Sequence, residues 1–369
     1  MPEVDVVSLR FPLRARMSRV ASKLAHAQGS SGLPGAVQTK TLVAADIGGT
    51  NARFQIWSTS TGVQKHEELL YEKTYDACQF ETFDMCFRKL CEDSGLTVFD
   101  SSCFAVAGPV KNSRCEMTNL NWRLDSVAIE RSFRIPKVSV INDFAAIGYG
   151  IMGLDPSQLV ALNDVSAEER GPIAIIGPGT GLGEANMLWN DSKQSYEVIA
   201  SEGSHALFAP KNQIGVQLLE YMWVQNLQVC EVEHVCSGPG LRNIYRFLCR
   251  KNDIKCDEIE PAEISARALS KSCDVCVATL NIFLEILGSE CLGAALRVLA
   301  TGGVYIAGGI PPKILPLITE TPVLIKAFEN CSPPMRDVVT RFPLKVVSDP
   351  NVGLLGAKIL AKQQISVIL

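Results

Sequence analysis

The sequence predicts an α/β protein of two domains, each a mixed sheet covered by helices, and three observations carry that expectation. Apolar strand-like runs alternate with helical periodicity along most of the chain. The 369 residues exceed the roughly 100–200 of a single domain. A strand, glycine turn, strand pattern also occurs twice, at residues 44–57 and 174–189. The composition, 47% hydrophobic and 20% charged, is globular and excludes a disordered or collagen-like chain.

The first unit begins at Thr41. Leu42-Val43-Ala44-Ala45-Asp46-Ile47 reads as a buried strand stopped by Gly48-Gly49, and residues 52–57 return as a second strand. Residues 67–75 make a third. Phe80, Phe83, Phe87, Leu90 and Cys91 recur at helical spacing until Gly95 closes the helix. Strand 103–107 runs into Gly108-Pro109, residues 117–124 lead to a helix at 126–134, and strand 138–141 ends at Asn142-Asp143. From Gly171 the pattern restarts, with strand 172–176, a glycine-rich turn at 177–183 and strands at 184–189 and 196–200. Helices are expected at 213–225, 240–250, 262–269 and about 274–300, then strand 303–307 opening onto Gly308-Gly309. Residues 352–362, periodic in Leu354, Leu355, Ile359 and Leu360, are expected to return onto the first domain. The expected domains are therefore 41–150 plus 351–369, and 151–350.

Residues 1–40 stand apart. Between Asp5 and Asp46 there is no acidic residue, while Arg10, Arg14, Arg16, Arg19 and Lys23 accumulate ahead of a Gly/Ser/Pro stretch. A basic leader without an apolar core fits an import sequence better than a secretory signal. Arg19-Val20 and His26-Ala27 have the spacing of a peroxisomal (glycosomal) targeting nonapeptide, and another organelle is an alternative. Elsewhere a net charge of −4 offers no basic face, so no nucleic-acid partner is expected. No apolar run nears the roughly 20 residues of a membrane span, so a soluble, cytoplasmic-type chain without a membrane partner is expected. Of thirteen cysteines, only Cys273 and Cys276 have metal-like spacing, and no second pair completes a zinc site. Reduced, buried thiols are the expectation.

Four patterns carry chemistry. In Asp46-Ile47-Gly48-Gly49-Thr50-Asn51-Ala52-Arg53, the glycines can take φ > 0 and expose N–H groups to a phosphate. Thr50 and Asn51 add donors, Arg53 can offset phosphate charge, and Asp46 can hold Mg²⁺ through water. Gly179-Thr180-Gly181-Leu182-Gly183 is a second backbone cradle for phosphates, neither a Walker loop nor a dinucleotide fingerprint because a strand follows it. Gly308 and Gly309 can let a flat adenosine lie against backbone. Asn142-Asp143 ends an apolar strand, where a carboxylate can take the proton of an attacking alcohol. Glu202 with His205, and Glu233, place carboxylates beside glycines, suited to sorting the hydroxyls of a polyol.

Two copies of a hairpin unit flanking a cleft match the architecture of the actin/hexokinase-type phosphotransferases. Together with Thr118-Asn119-Leu120-Asn121-Trp122, Ser237-Gly238-Pro239-Gly240-Leu241 and Gly302-Gly303-Val304-Tyr305-Ile306-Ala307, these motifs resemble the bacterial-type glucokinases, in order and over about residues 41–367. The resemblance implies a two-domain actin-like ATPase (ribonuclease H-like) fold with its active site in the cleft between the domains. It implies transfer of the γ-phosphoryl of MgATP to the 6-hydroxyl of glucose, the first step of glycolysis, by a homodimer. Asp143 would be the base, Asn142, Glu202, His205 and Glu233 would bind sugar, and the glycine turns would hold nucleotide. Alternatives are a kinase of fructose or mannose, or a non-catalytic sugar sensor. Ser204 stands where the family usually has a second glycine, and its Cβ is expected to narrow the sugar wall.

Overall fold

The computed structural model describes residues 38–61, 66–117, 120–225 and 229–368. The leader motif at residues 19–27 and the first two residues of the Thr118 motif lie outside them. The chain divides into two compact units, Met1–Asp143 with Ala357–Leu369, and Phe144–Gly356.

In the first unit, β1 (Gln38–Ile47), β2 (Asn51–Thr61) and β3 (Glu67–Asp76) form an antiparallel meander. After α1 (Phe83–Ser94), β4 (Ser101–Val106) joins β1 in parallel. A small ribbon, β5 (Arg114–Glu116) with β6 (Arg123–Asp125), precedes α2 (Ser126–Phe133) and β7 (Val138–Asn142), which is parallel to β4. The sheet order is β3-β2-β1-β4-β7. Helix α1 starts three residues later than the periodicity suggests, because the Thr82 side chain caps it by accepting from the Met85 N–H. Phe80 instead stays extended, and its carbonyl accepts from the Trp122 indole at 2.9 Å. Gly95, at φ 71°, closes the helix as expected. Phe54, Phe83, Phe87 and Phe104 fill the core behind the sheet.

The second unit opens with α3 (Asp143–Ile151), whose first residue belongs to the first unit, and β8 (Leu159–Ala161). Strands β9 (Ile173–Pro178), β10 (Leu182–Asn190) and β11 (Ser195–Ser201) repeat the meander. Helices α4 (Gln213–Val224), α5 (Gly238–Lys251), α6 (Pro261–Leu269) and α7 (Asp274–Val298) lead to β12 (Gly303–Ile306). Three short helices follow, α8 (Leu315–Glu320), α9 (Val323–Phe328) and α10 (Arg336–Val339), then β13 (Leu344–Val347) and α11 (Val352–Ile368). The order is β11-β10-β9-β12-β13-β8. The three short helices, β8 and β13 are absent from the sequence reading. Strands of three or four residues show no period, and β13 exists through its parallel pairing with β12.

Helix α7 modifies one expectation. By length and composition it could cross a membrane, although no uninterrupted apolar run of that length stands in the sequence. Phe283, Leu284, Leu287 and Cys291 are fully buried, and a Cβ on Gly288 would lie 2.3 Å from the Leu324 carbonyl. Its composition reflects burial against α9 and the rest of the core on most of its faces.

The end of α11 belongs to the first unit. There Ser101 Oγ donates to the Ala361 carbonyl at 2.5 Å, Lys358 and Lys362 pair with Glu67, and the Lys358 ammonium lies 3.8 Å from the centre of the Trp57 ring.

Candidate active site

In the first unit the strand register brings the predicted groups into line. Ile47 on β1 is level with Val106 on β4, and Val106 with Asn142 on β7. Three parallel strands therefore end together, and their carboxyl ends carry Asp46 with the Gly48 turn, Gly108, and Asn142-Asp143. Open α/β sheets place ligands at such a rim. Asn142 Nδ2 donates to the Gly108 carbonyl at 3.2 Å, which fixes its amide. Asp143 opens α3 rather than ending the strand, and it is half-buried. Burial pushes the Cys115 thiol upward, with a further contribution from the Asp143 charge, which marks the two as neighbours.

The Gly48 turn is tighter in chemistry than the sequence suggests. Neither Gly48 nor Gly49 adopts a positive φ, so the expected left-handed backbone is not used. The hairpin closes through Gly48 N–H to the Asn51 carbonyl at 2.9 Å, and Thr50 and Asn51 are exposed at its tip. Asp46 and Arg53 are cross-strand partners, and Arg53 Nη2 donates to Asp46 Oδ2 at 2.5 Å. The guanidinium reaches the turn already paired with a carboxylate.

In the second unit each glycine of the second cradle answers a different neighbour. A Cβ on Gly183 would lie 1.9 Å from the Phe144 ring, and one on Gly181 would lie 2.5 Å from Glu233 Oε2. A Cβ on Gly308, at φ +89°, would lie 2.6 Å from the Pro178 carbonyl. Gly179 meets nothing closer than 3.9 Å and Gly309 nothing within 4 Å. Those two glycines leave open space at the carboxyl ends of β9 and β12, which are parallel neighbours. The Gly179 turn is held from below, since its carbonyl accepts from the Gly238 N–H at 2.8 Å in the first turn of α5.

Glu233 joins the glycine turn to the second carboxylate cluster. Its Oε2 accepts from the Leu182 N–H at 2.8 Å, and its carbonyl accepts from Ser237 Oγ, which also caps α5. Glu202 precedes and His205 ends a single helical turn, Gly203–His205, and both are exposed. Ser204 between them is only 2% exposed, so it is enclosed by protein and does not narrow an open wall.

Two residues of this region escape the sequence reading. Glu231 Oε2 lies 2.7 Å from His205 Nδ1, a contact between segments 26 residues apart that carries no sequence signature. Glu184 lies on β10 beneath the turn, where a Cβ on Gly203 would be 2.1 Å from its Oε2. It is buried, its Oε1 has no hydrogen-bond partner among the described residues, and Arg297 is 3.8 Å from the other oxygen. Burial raises its carboxyl above the usual range. A charged residue in an apolar strand is the signal that could have flagged it.

All thirteen cysteines are free thiols, and Cys103, Cys236 and Cys291 among the buried ones are pushed upward by burial. Among the described residues no three His, Cys, Asp or Glu converge as a metal cluster.

The glucokinase family model matches residues 43–364. A glucokinase of Trichormus variabilis is 36% identical over 342 residues, covering 87% of this chain and 98% of that one. Among solved structures, a glucokinase from an Antarctic psychrotroph is 31% identical, with a TM-score of 0.76 over 88% of this chain and 99% of that one. A glucokinase of Balamuthia mandrillaris in complex with glucose shares the fold at 20% identity, with a TM-score of 0.76 over 95% and 99% of the two chains.

Proposed function

The chain belongs to the glucokinase family, and we propose that Asp143 is the general base of its phosphoryl transfer. The activity is ATP-dependent phosphorylation of glucose, and the fold is the actin-like ATPase fold of the family's sugar kinases. The observation that carries the assignment is the register Ile47, Val106, Asn142, which sets Asp143 on the same rim as the Asp46–Arg53 hairpin. A carboxylate there accepts the proton of the 6-hydroxyl as that oxygen attacks the γ-phosphorus, and Asn142 holds a neighbouring hydroxyl.

Each unit supplies its own candidate groups. From the first come the base, the exposed donors Thr50 and Asn51, and a guanidinium tethered by Asp46. From the second come Gly179, Thr180, Gly181 and Gly183 for the phosphates, the open backbone at Gly308 and Gly309 for adenosine, and Glu202, His205 and Glu233 for sugar hydroxyls. The fit to nucleotide rests on the two positions, Gly179 and Gly309, where a side chain would fill free space.

Magnesium belongs to the same proposal. With Oδ2 of Asp46 taken by Arg53, Oδ1 is the acceptor for the water shell of an ion, and Mg²⁺ is habitually held by one or two carboxylates, water and substrate phosphates. When bound it would neutralise charge on the β- and γ-phosphates. A homodimer is supported by Trp223 and Val224, both more than half exposed on α4. The reaction is the first step of glycolysis in a cytoplasmic-type enzyme, and residues 1–40, where they act as an import leader, would carry it from the cytoplasm into an organelle. Chelation, light scattering and a fluorescent fusion of residues 1–40 check the metal, dimer and leader in turn.

A coupled ATP-dependent assay across hexoses tests the activity. Glucose is expected to give the highest kcat/KM, with fructose and mannose lower. A higher value for either of them overturns the substrate assignment.

A further inference from the structure

Glu231 lies outside the predicted site, yet the structure ties it into the sugar segment from both sides. Its side chain holds His205 Nδ1 at 2.7 Å. Its backbone bridges Leu207 in antiparallel fashion, with Phe208 N–H to the Cys230 carbonyl at 2.8 Å and Val232 N–H to the Ala206 carbonyl at 3.0 Å. Its own N–H donates to His234 Nδ1 at 3.1 Å, and its carbonyl accepts from the His234 N–H. A carboxylate with that many backbone restraints loses little further entropy by holding an imidazole. Its side chain is 27% exposed, against 51% for His205 and 62% for Glu202, so of the three it is the least screened by solvent.

On the far side of the ring, His205 Nε2 lies 3.8 Å from Glu202 Oε2. That is too long for a hydrogen bond between them. It is the right span for one hydroxyl oxygen about 2.8 Å from each, since an O–H···O or N–H···O contact has that length. A hydroxyl has a single proton. If it donates to the Glu202 carboxylate, it can bond Nε2 as well only by accepting a hydrogen from it, and with Nδ1 facing the Glu231 carboxylate that requires a proton on both ring nitrogens.

We propose that Glu231 is a positioning residue that holds His205 with Nδ1–H toward itself and Nε2–H outward, so that His205 and Glu202 together read one sugar hydroxyl as acceptor and donor at once. The inference rests on the reading of Glu202 and His205 as sugar contacts and adds the group that sets the donor state of the ring. The titratable groups facing His205 are Glu231, Glu233 and Glu202. All three are carboxyl side chains, and together they raise its pKa, the hydrogen bond that His205 makes to Glu231 first. The imidazolium therefore persists to higher pH than an ordinary histidine would allow.

The test is steady-state kinetics of the full chain against pH, for the wild type, Glu231→Gln, Glu231→Asp, His205→Gln and the double variant Glu231→Gln/His205→Gln. Glu231→Gln is expected to raise the glucose KM by about tenfold, the cost of one charged hydrogen bond. It should leave kcat and the ATP KM within about twofold, the experimental spread of one such bond. The rise of glucose KM on the alkaline side should begin at lower pH than in the wild type. Glu231→Asp should recover part of the loss, and Glu231→Gln should add little in the His205→Gln background. If His205→Gln leaves the glucose KM unchanged, the sugar-contact reading fails. If His205→Gln raises it while Glu231→Gln leaves the KM and its pH profile unmoved, the role of Glu231 is overturned and the contact reading stands. A parallel fall in kcat and rise in the ATP KM for Glu231→Gln, with an unshifted pH profile, assigns Glu231 to the scaffold and also overturns the proposal.

Discussion

The two units share a strand plan and differ in what they place on it. Each has an antiparallel three-stranded meander followed by two parallel strands, β3-β2-β1-β4-β7 in one and β11-β10-β9-β12-β13 in the other. Each puts its functional turns at the carboxyl ends of the parallel strands. In the first unit those ends carry polar and charged side chains, Asp46, Arg53, Asn142 and Asp143, which the proposed function takes as its chemical groups. In the second they carry backbone with the side chains removed, and the carboxylates arrive from elsewhere, on the segments holding Glu202, Glu231 and Glu233. One sheet topology thus presents a carboxylate and an amide at its rim in one copy and bare glycine backbone in the other.

The units also differ in how charge holds them together. In the first, Asp93 is held down to about 2 by hydrogen bonds from Lys73 and Lys89. Burial of Glu67 would raise its carboxyl, but Lys358 and Lys362 outweigh it and the net shift is downward. In the second, the lowered carboxylates Asp155 and Glu197 are on the surface, while Glu184 and Glu290 are raised, burial being the first cause in both.

The sharpest way to break the functional half of this comparison is Asp143→Asn. It should lower kcat by about 10²–10⁴-fold, the usual worth of a general base, with glucose binding by calorimetry and the Tm unchanged. A variant that turns over normally removes chemistry from the first unit. Gly309→Ala asks the matching question of the second. Its Cβ meets no protein atom within 4 Å, so the fold should be untouched while the ATP KM rises by about tenfold, equivalent to ~1.4 kcal/mol. An unchanged ATP KM would mean that the open space there is not used by nucleotide.

The smallest effect is on stability against pH, read by hydrogen exchange corrected for intrinsic rates. Carboxylates lowered in the fold stabilise it fully above their unfolded values, about 4, and that contribution is lost as pH falls through the folded values. Raised carboxylates act in the opposite sense, weakening the fold as pH climbs from about 4 through their raised values. Acidification from neutrality to about pH 3 should therefore loosen β3, α1 and the end of α11 before β10 and α7. Simultaneous loss in both units, or the reverse order, would remove the electrostatic contrast.

Much of the first unit was legible because its signals are local. The run ending at Asp46, the capped helix closed by Gly95 and the strand delivering Asn142-Asp143 each declare themselves within ten or so residues. In the second unit the meander and the long helices were equally plain. Strand β13 was not, because four residues become a strand only when Val304 pairs with Leu344, forty positions further along the chain. The glycines divide the same way. Their presence marked the turns, but only the packing distinguishes Gly183, which makes room for Phe144, from Gly309, which faces open space.

The sequence by itself determined the repeated hairpin plan and the family, and it nominated the groups proposed to move a proton or receive a phosphate, because these depend on local patterning and on side-chain chemistry. The tertiary structure alone decided which partners those groups have. Arg53 is spoken for by Asp46, the Glu233 carboxylate by the Leu182 amide, and His205 by Glu231. Such pairings follow from register and chain crossing, which bring distant residues within a hydrogen bond of one another, and no spacing along the chain encodes that distance.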